Sequence, residues 1–166
     1  LPNARSLFLQ LDRELARCKR DTTSLVVMVS DMDGFKQIND RFGHLEGNRV
    51  LRLFAQALRD SCREYDYVAR MGGDEFVLVL PASDSESMKR RIVELRTIGA
   101  KAGSKICGID LMTMSIGEAF YPTDGVDAEQ LLAEADRRMY RVKQKAKSQA
   151  APMGALPDAP VLASVH

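Results

Sequence analysis

Four carboxylates carry the chemistry that this sequence offers. Asp74 and Glu75 follow Gly72-Gly73 directly and lead into the apolar run Phe76-Val77-Leu78-Val79-Leu80, while Asp31 and Asp33 close another apolar run, Leu25 to Val29. Asp by itself is common in turns, but carboxylates are depleted in strands. Two acids running straight into a core strand therefore ask for more than a turn. Paired glycines allow positive φ and close approach of a ligand, and carboxylates beside them can hold a hard cation. The combination reads as a metal–nucleotide site. Asp31 and Asp33 are two apart, so they share a face if the strand continues through them. They stand at the strand's C-terminal end, where sheets tend to bind ligands. Capping of the following helix is the persuasive reading of Asp33, but it does not explain Asp31.

These pairs need elements to position them. Tyr67-Val68-Ala69 leads into the glycines and Phe76 to Leu80 leads out, which predicts a β-hairpin. Leu7, Leu11 and Leu15 recur at helical spacing, predicting a helix over 4–20, and Leu25 to Val29 reads as a buried strand. Phe35 to Phe42 reads as a short helix, and the stripe Val50, Leu51, Leu53, Phe54, Ala57, Leu58 gives a helix over 47–61. Ser83-Asp84-Ser85-Glu86 resembles a helix start, with the helix running from 84 to about 97. Gly99 to Gly108 reads as a loop or weak strand start, Leu111 to Ala119 as a core strand, Tyr121 to Gly125 as a turn and 127–146 as a helix. Ser148 to His166, rich in Ala and Pro and nearly free of charge, reads as a disordered tail behind a domain spanning 1–147.

Composition narrows the class. A chain of 166 residues with 45% apolar content fits one soluble α/β domain. With 24 basic and 23 acidic residues, no broad field points to a nucleic-acid polymer or a membrane surface. The longest aliphatic run falls far short of the ~20 residues that span a bilayer, and no stretch reads as a signal peptide. Cys18, Cys62 and Cys107 are odd in number and scattered, which suggests reduced thiols and a cytoplasmic location. Two histidines make a His-rich zinc site a poor reading, and His44 is given no chemistry.

Arg70-Met71-Gly72-Gly73-Asp74-Glu75-Phe76 resembles the signature of the GGDEF family, the diguanylate cyclases that join two GTP into cyclic di-GMP. The likeness runs from Leu1 to about Lys147 through several motifs in order. It implies a central, mostly antiparallel five-stranded sheet flanked by helices, an α/β (α+β) architecture similar to polymerase palms and nucleotidyl cyclases. Asp31 and Asp74 are 43 residues apart but would lie on neighbouring strands. The resemblance makes Asp31, Met32 and Asp74 ligands of Mg²⁺, two ions per site with Mn²⁺ as an alternative. Asp74, Glu75 and Lys36 are the implied catalytic groups, with Glu75 either a second metal ligand or a base. Phe35, Lys36, Asn39, Asn48, Gly72, Gly73, Lys143 and Lys147 are the implied substrate contacts. Asn39 and Asn48 would meet the guanine edge, although the family normally carries Asp at the second position. Lys147 stands where an Arg is usual, keeping the charge without the bidentate fork.

Arg63-Glu64-Tyr65-Asp66 would otherwise read as a solvated connector. Asp66 lies six residues before Gly72, the family's spacing for an inhibitory product site, which implies that Arg63 and Asp66 bind cyclic di-GMP. Because one domain holds one GTP, catalysis implies a homodimer. The chain opens inside a family motif, so a preceding sensory or receiver module is expected in the parent protein. The implied role is bacterial second-messenger signalling of the kind that governs biofilms. Alternatives remain open: relaxed specificity giving cyclic GMP-AMP because of Asn48, a non-catalytic GTP or cyclic di-GMP receptor, or a receiver-like domain with Asp31 as phosphoacceptor.

Overall fold

The computed structural model describes residues 1–81, 84–108 and 112–149. The chain opens with α1 (Ala4–Asp21), capped by the Asn3 side chain, which accepts from the Ser6 amide at 3.1 Å. β1 (Leu25–Asp33) follows, then α2 (Phe35–Phe42), α3 (His44–Ser61), β2 (Tyr67–Gly72) and β3 (Glu75–Pro81). α4 (Ser85–Cys107), β4 (Thr113–Tyr121) and α5 (Ala128–Gln149) complete the described chain. Among the described residues the sheet has four strands in the order β2-β3-β1-β4, and every pairing is antiparallel. This corrects the expected five strands. It also departs from the doubly wound parallel sheet of a receiver.

Helices cover both faces, which is why β1 reads as one continuous apolar run rather than an alternation. Val26 and Met28 enter a core shared with α3 and α4, whereas Leu25, Val27 and Val29 enter a second core shared with α1 and α5. Phe54 of α3 meets Phe76 of β3 edge to face at 4.9 Å in the first core. Asp31 has the odd parity of the second set, so it faces the α5 side. The sheet thus directs this acid toward one helix.

Several boundaries move. α4 continues to Cys107 where a loop or weak strand start was expected from Gly99, because Gly99 and Gly103 are packing residues and not breaks. A Cβ at Gly99 would come within 2.8 Å of the Met114 side chain, and one at Gly103 within 3.0 Å of Met112. Tertiary contact thus outweighs the ~1 kcal/mol helix cost of Gly. The helix start read from Ser83 to Glu86 is refined: Asp84 is the cap of α4 and not its first residue, accepting from the Ser87 amide at 2.7 Å. α2 is not capped by Asp33; its N-cap is Gly34 at φ 85° with no side-chain bond, and Asp33 is the last residue of β1. Ser148 and Gln149 belong to α5, not to a tail. The expectations for Ser83, for Leu111 as a strand start and for a tail over 150–166 lie outside the described residues. Among the described residues no helix is long and apolar enough to cross a membrane.

Candidate active site

The hairpin is built as its sequence suggests. Gly72 at φ 154° and Gly73 at φ 52° turn the chain between β2 and β3, positions that suit a residue without Cβ. A Cβ at either would meet nothing within 4 Å, so the turn faces open space. The Arg70 guanidinium clasps the turn from behind, donating from Nε at 2.8 Å and Nη2 at 2.6 Å to the Gly73 carbonyl.

The β1–β3 register places Asp31 opposite Glu75, and the Met32 amide donates to the Asp74 carbonyl at 3.3 Å. Asp31, Asp74 and Glu75 therefore gather at one end of the sheet, as the sequence implied. Lys143 of α5 reaches into this group and donates to Asp31 Oδ2 at 2.5 Å. Its placement depends on Gly117 of β4. A Cβ there would lie 2.1 Å from the Ala135 carbonyl oxygen and 2.2 Å from the Met139 nitrogen. α5 thus rests directly on β4, one turn before Lys143.

The electrostatics are unbalanced. Burial, then a hydrogen bond and charge shared with Asp31, push Asp74 up to about 6, with Lys143 opposing only in part. Burial also raises Glu75, followed by the charges of Asp136 and Asp31. Lys143 is raised, chiefly by its bond to Asp31. Asp31 Oδ1 is buried without a partner among the described residues. One ammonium is thus set against more negative charge than it neutralises, with an acceptor oxygen left over. No group of three acid, His or Cys side chains closes a metal cage among the described residues. Such a donor set suits Mg²⁺, which is usually held by one or two carboxylates plus substrate phosphates.

Two cavities flank the hairpin tip. One, of about 510 Å³, is lined by Met32, Gly34, Lys36, Asp74, Lys143 and Lys147 among others, which unites most of the expected metal and phosphate contacts. The other, of about 620 Å³, carries Asn48 with Leu51, Arg52, Arg70 and Phe76. Asn39 lies against Gly47, where a Cβ would stand 1.8 Å from its Oδ1, and that oxygen is buried without a partner among the described residues. Phe35 is half-buried, its ring tip 3.4 Å from the same Cβ position. Glu75 is half-buried beside the acids and lines neither cavity.

Arg63 and Asp66 form a separate place. The Arg63 amide donates to Asp66 Oδ2 at 3.0 Å and Nη2 to Oδ1 at 3.2 Å, and the guanidinium lies 4.7 Å from the Tyr65 ring centroid. They line a cavity of about 270 Å³ with Arg90, Arg91 and Glu94, sharing no residue with the other two. Sequence reasoning missed Ser115, whose hydroxyl donates to Asp33 Oδ2 at 2.5 Å. It also missed Arg52. Ser115 has no local signal, since it stands opposite Asp31 in the β1–β4 register and reaches Asp33 diagonally, 82 residues away in sequence; Arg52, in the lining of the Asn48 cavity, had one, standing one helical turn after Asn48.

The model of the family described as diguanylate cyclase, GGDEF domain, matches residues 1–149. The diguanylate cyclase DgcP of Pseudomonas aeruginosa is 40% identical over 146 residues, covering 87% of this chain and 22% of DgcP. The diguanylate cyclase DosC of Escherichia coli is 38% identical over 154 residues, covering 89% of this chain and 32% of DosC. The chain thus spans about a third or less of the length of these relatives. A crystal structure of a sensory box/GGDEF family protein from Caulobacter crescentus superposes with a TM-score of 0.76 at 35% identity, covering 86% of this chain and 93% of that one.

Proposed function

The chain belongs to the GGDEF diguanylate cyclase family, and from that premise we propose that it joins two GTP into cyclic di-GMP and releases two pyrophosphates. The observation that carries this reading is the acid group of Asp31, Asp74 and Glu75 at one sheet end, under-neutralised by Lys143, with Asp74 lining a cavity that also carries Lys36, Lys143 and Lys147. Asp31, Asp74 and the Met32 carbonyl would hold Mg²⁺, two ions per site, or Mn²⁺. When bound, the metal neutralises triphosphate charge and makes a 3′-hydroxyl a better nucleophile.

The chain's own residues supply the rest. Lys36, Lys143 and Lys147 bind phosphate oxygens, and Gly72-Gly73 leaves space for the nucleotide beside the turn. Asn39 and Asn48 meet the base, with Phe35 packed beneath. The 3′-oxygen attacks the α-phosphorus, the bond to pyrophosphate breaks, and Glu75, its proton affinity raised by burial, accepts the hydroxyl proton in this reading. One chain holds one nucleotide, so two copies face each other and each linkage uses groups from both. Cyclic di-GMP binding at Arg63 and Asp66 gives product inhibition from a separate cavity.

The test is pyrophosphate release from GTP and Mg²⁺ with identification of the nucleotide product. Cyclic di-GMP should form at a rate that climbs faster than linearly with protein concentration, and added product should slow it. Tight GTP binding with no pyrophosphate at any protein concentration would leave a nucleotide receptor instead.

A further inference from the structure

Asn48 lines the 620 Å³ cavity, and Arg52 stands four residues later on α3 in the lining of the same cavity. That spacing sets the two side chains side by side on one helix face. The floor is apolar, made by Leu51, Ala55 and Phe76, and among the described residues no carboxylate lines the cavity. Such a floor accepts a planar base, and the rim must read its edge. The two amides proposed to meet the base, Asn48 in this lining and Asn39 outside it against Gly47, do not choose between purines, since a side-chain amide offers both an acceptor and a donor. It can pair with the N1–H and O6 of guanine or with the N1 and N6 amino group of adenine.

Arg52 breaks that symmetry. A guanidinium only donates. Guanine presents two acceptors together, O6 and N7, whereas adenine replaces O6 with an amino donor. Of the three arginines in this lining, Arg70 is already committed to the Gly73 carbonyl. Arg59 lies eleven residues beyond Asn48, about 16 Å along the helix axis. Arg52 is one turn away and has no hydrogen-bond or ion-pair partner among the described residues. We propose that Arg52 is the base-selecting residue of this chain: its guanidinium donates to O6 and N7 of the purine held at Asn39 and Asn48. The pocket thereby keeps its preference for GTP over ATP with an amide at position 48. The inference rests on the cyclase reading for the place of the nucleotide.

The experiment is equilibrium binding, with Mg²⁺, of 3′-deoxy-GTP and 3′-deoxy-ATP, which lack the attacking hydroxyl and report affinity without turnover. The parent should favour the guanine analogue, and Arg52→Met should lose about ten- to a hundredfold of that preference. The loss should come from weaker guanine binding, and Arg52→Lys should recover part of it. Equal weakening of both analogues in Arg52→Met would make Arg52 a phosphate contact and overturn the proposal, as would an unchanged ratio or a parent without preference. Pyrophosphate release from GTP by the parent is scored separately. Selective binding without release sinks the cyclase reading alone, and release with an unchanged ratio in Arg52→Met sinks only the role of Arg52.

Discussion

Helix α5 carries two cations five residues apart that meet carboxylates in opposite ways. Arg138 donates to Asp124 through both Nη atoms at 2.9 Å, to the Glu118 carbonyl at 2.8 Å, and pairs with Glu134 at 2.8 Å. Asp124 also accepts the Phe120 amide at 2.8 Å, and its carboxyl is held below the usual range, chiefly by Arg138. Lys143 meets Asp31 through one contact, beside two carboxyls that are both pushed up and an acceptor with no partner. The first cluster is complete and stabilises the turn before α5. The second is short of positive charge while the fold holds its acids in place. The proposed metal and triphosphate would relieve that imbalance, and this contrast sets the proposed functional cluster apart from a structural one on the same helix.

The sharpest way to break the contrast is Asp74→Asn. If the acid cluster exists for binding and turnover, pyrophosphate release should fall by roughly two to three orders of magnitude. The melting temperature should hold or rise slightly, because the substitution removes a carboxylate that burial disfavours. Near-parental turnover at saturating Mg²⁺ would end the metal assignment. Arg138→Met should do the reverse. Its loss strips Asp124 of its charged partner and should cost about 1–3 kcal/mol in urea unfolding, with turnover per folded molecule unchanged. A loss of turnover without a loss of stability would place Arg138 in the functional cluster.

The smallest effect is in acid. Asp124 has a folded pKa below its unfolded value, so its stabilisation is fully present above the unfolded pKa of about 3.9 and fades as pH falls through the folded one. Asp124→Asn should therefore be less stable than the parent near pH 7, and the gap should close as pH drops below about 4. A gap that stays constant across that range would mean that the carboxylate's charge contributes nothing there.

Legibility followed the range of the interactions. The hairpin, the short helix Phe35–Phe42 and the start of α4 rest on contacts a few residues apart, so propensity and spacing sufficed. Asp33 was misread as a helix cap because its partner, Ser115, is 82 residues away. Gly99 and Gly103 read as a break because the methionines that require small residues there belong to the segment leading into β4 and to β4 itself.

The sequence by itself determined which residue types were available: acids after paired glycines, lysines on the last helix, an amide where the family carries an acid. Tertiary structure decided how they balance. Strand parity turned Asp31 toward α5, the missing Cβ of Gly117 let that helix settle onto β4, and only then could Lys143 reach one carboxylate and leave the others under-neutralised. Local patterns fix identity and spacing, because they act along the chain. Charge balance and cavity shape are set by close approach between distant segments, and no local pattern encodes that approach.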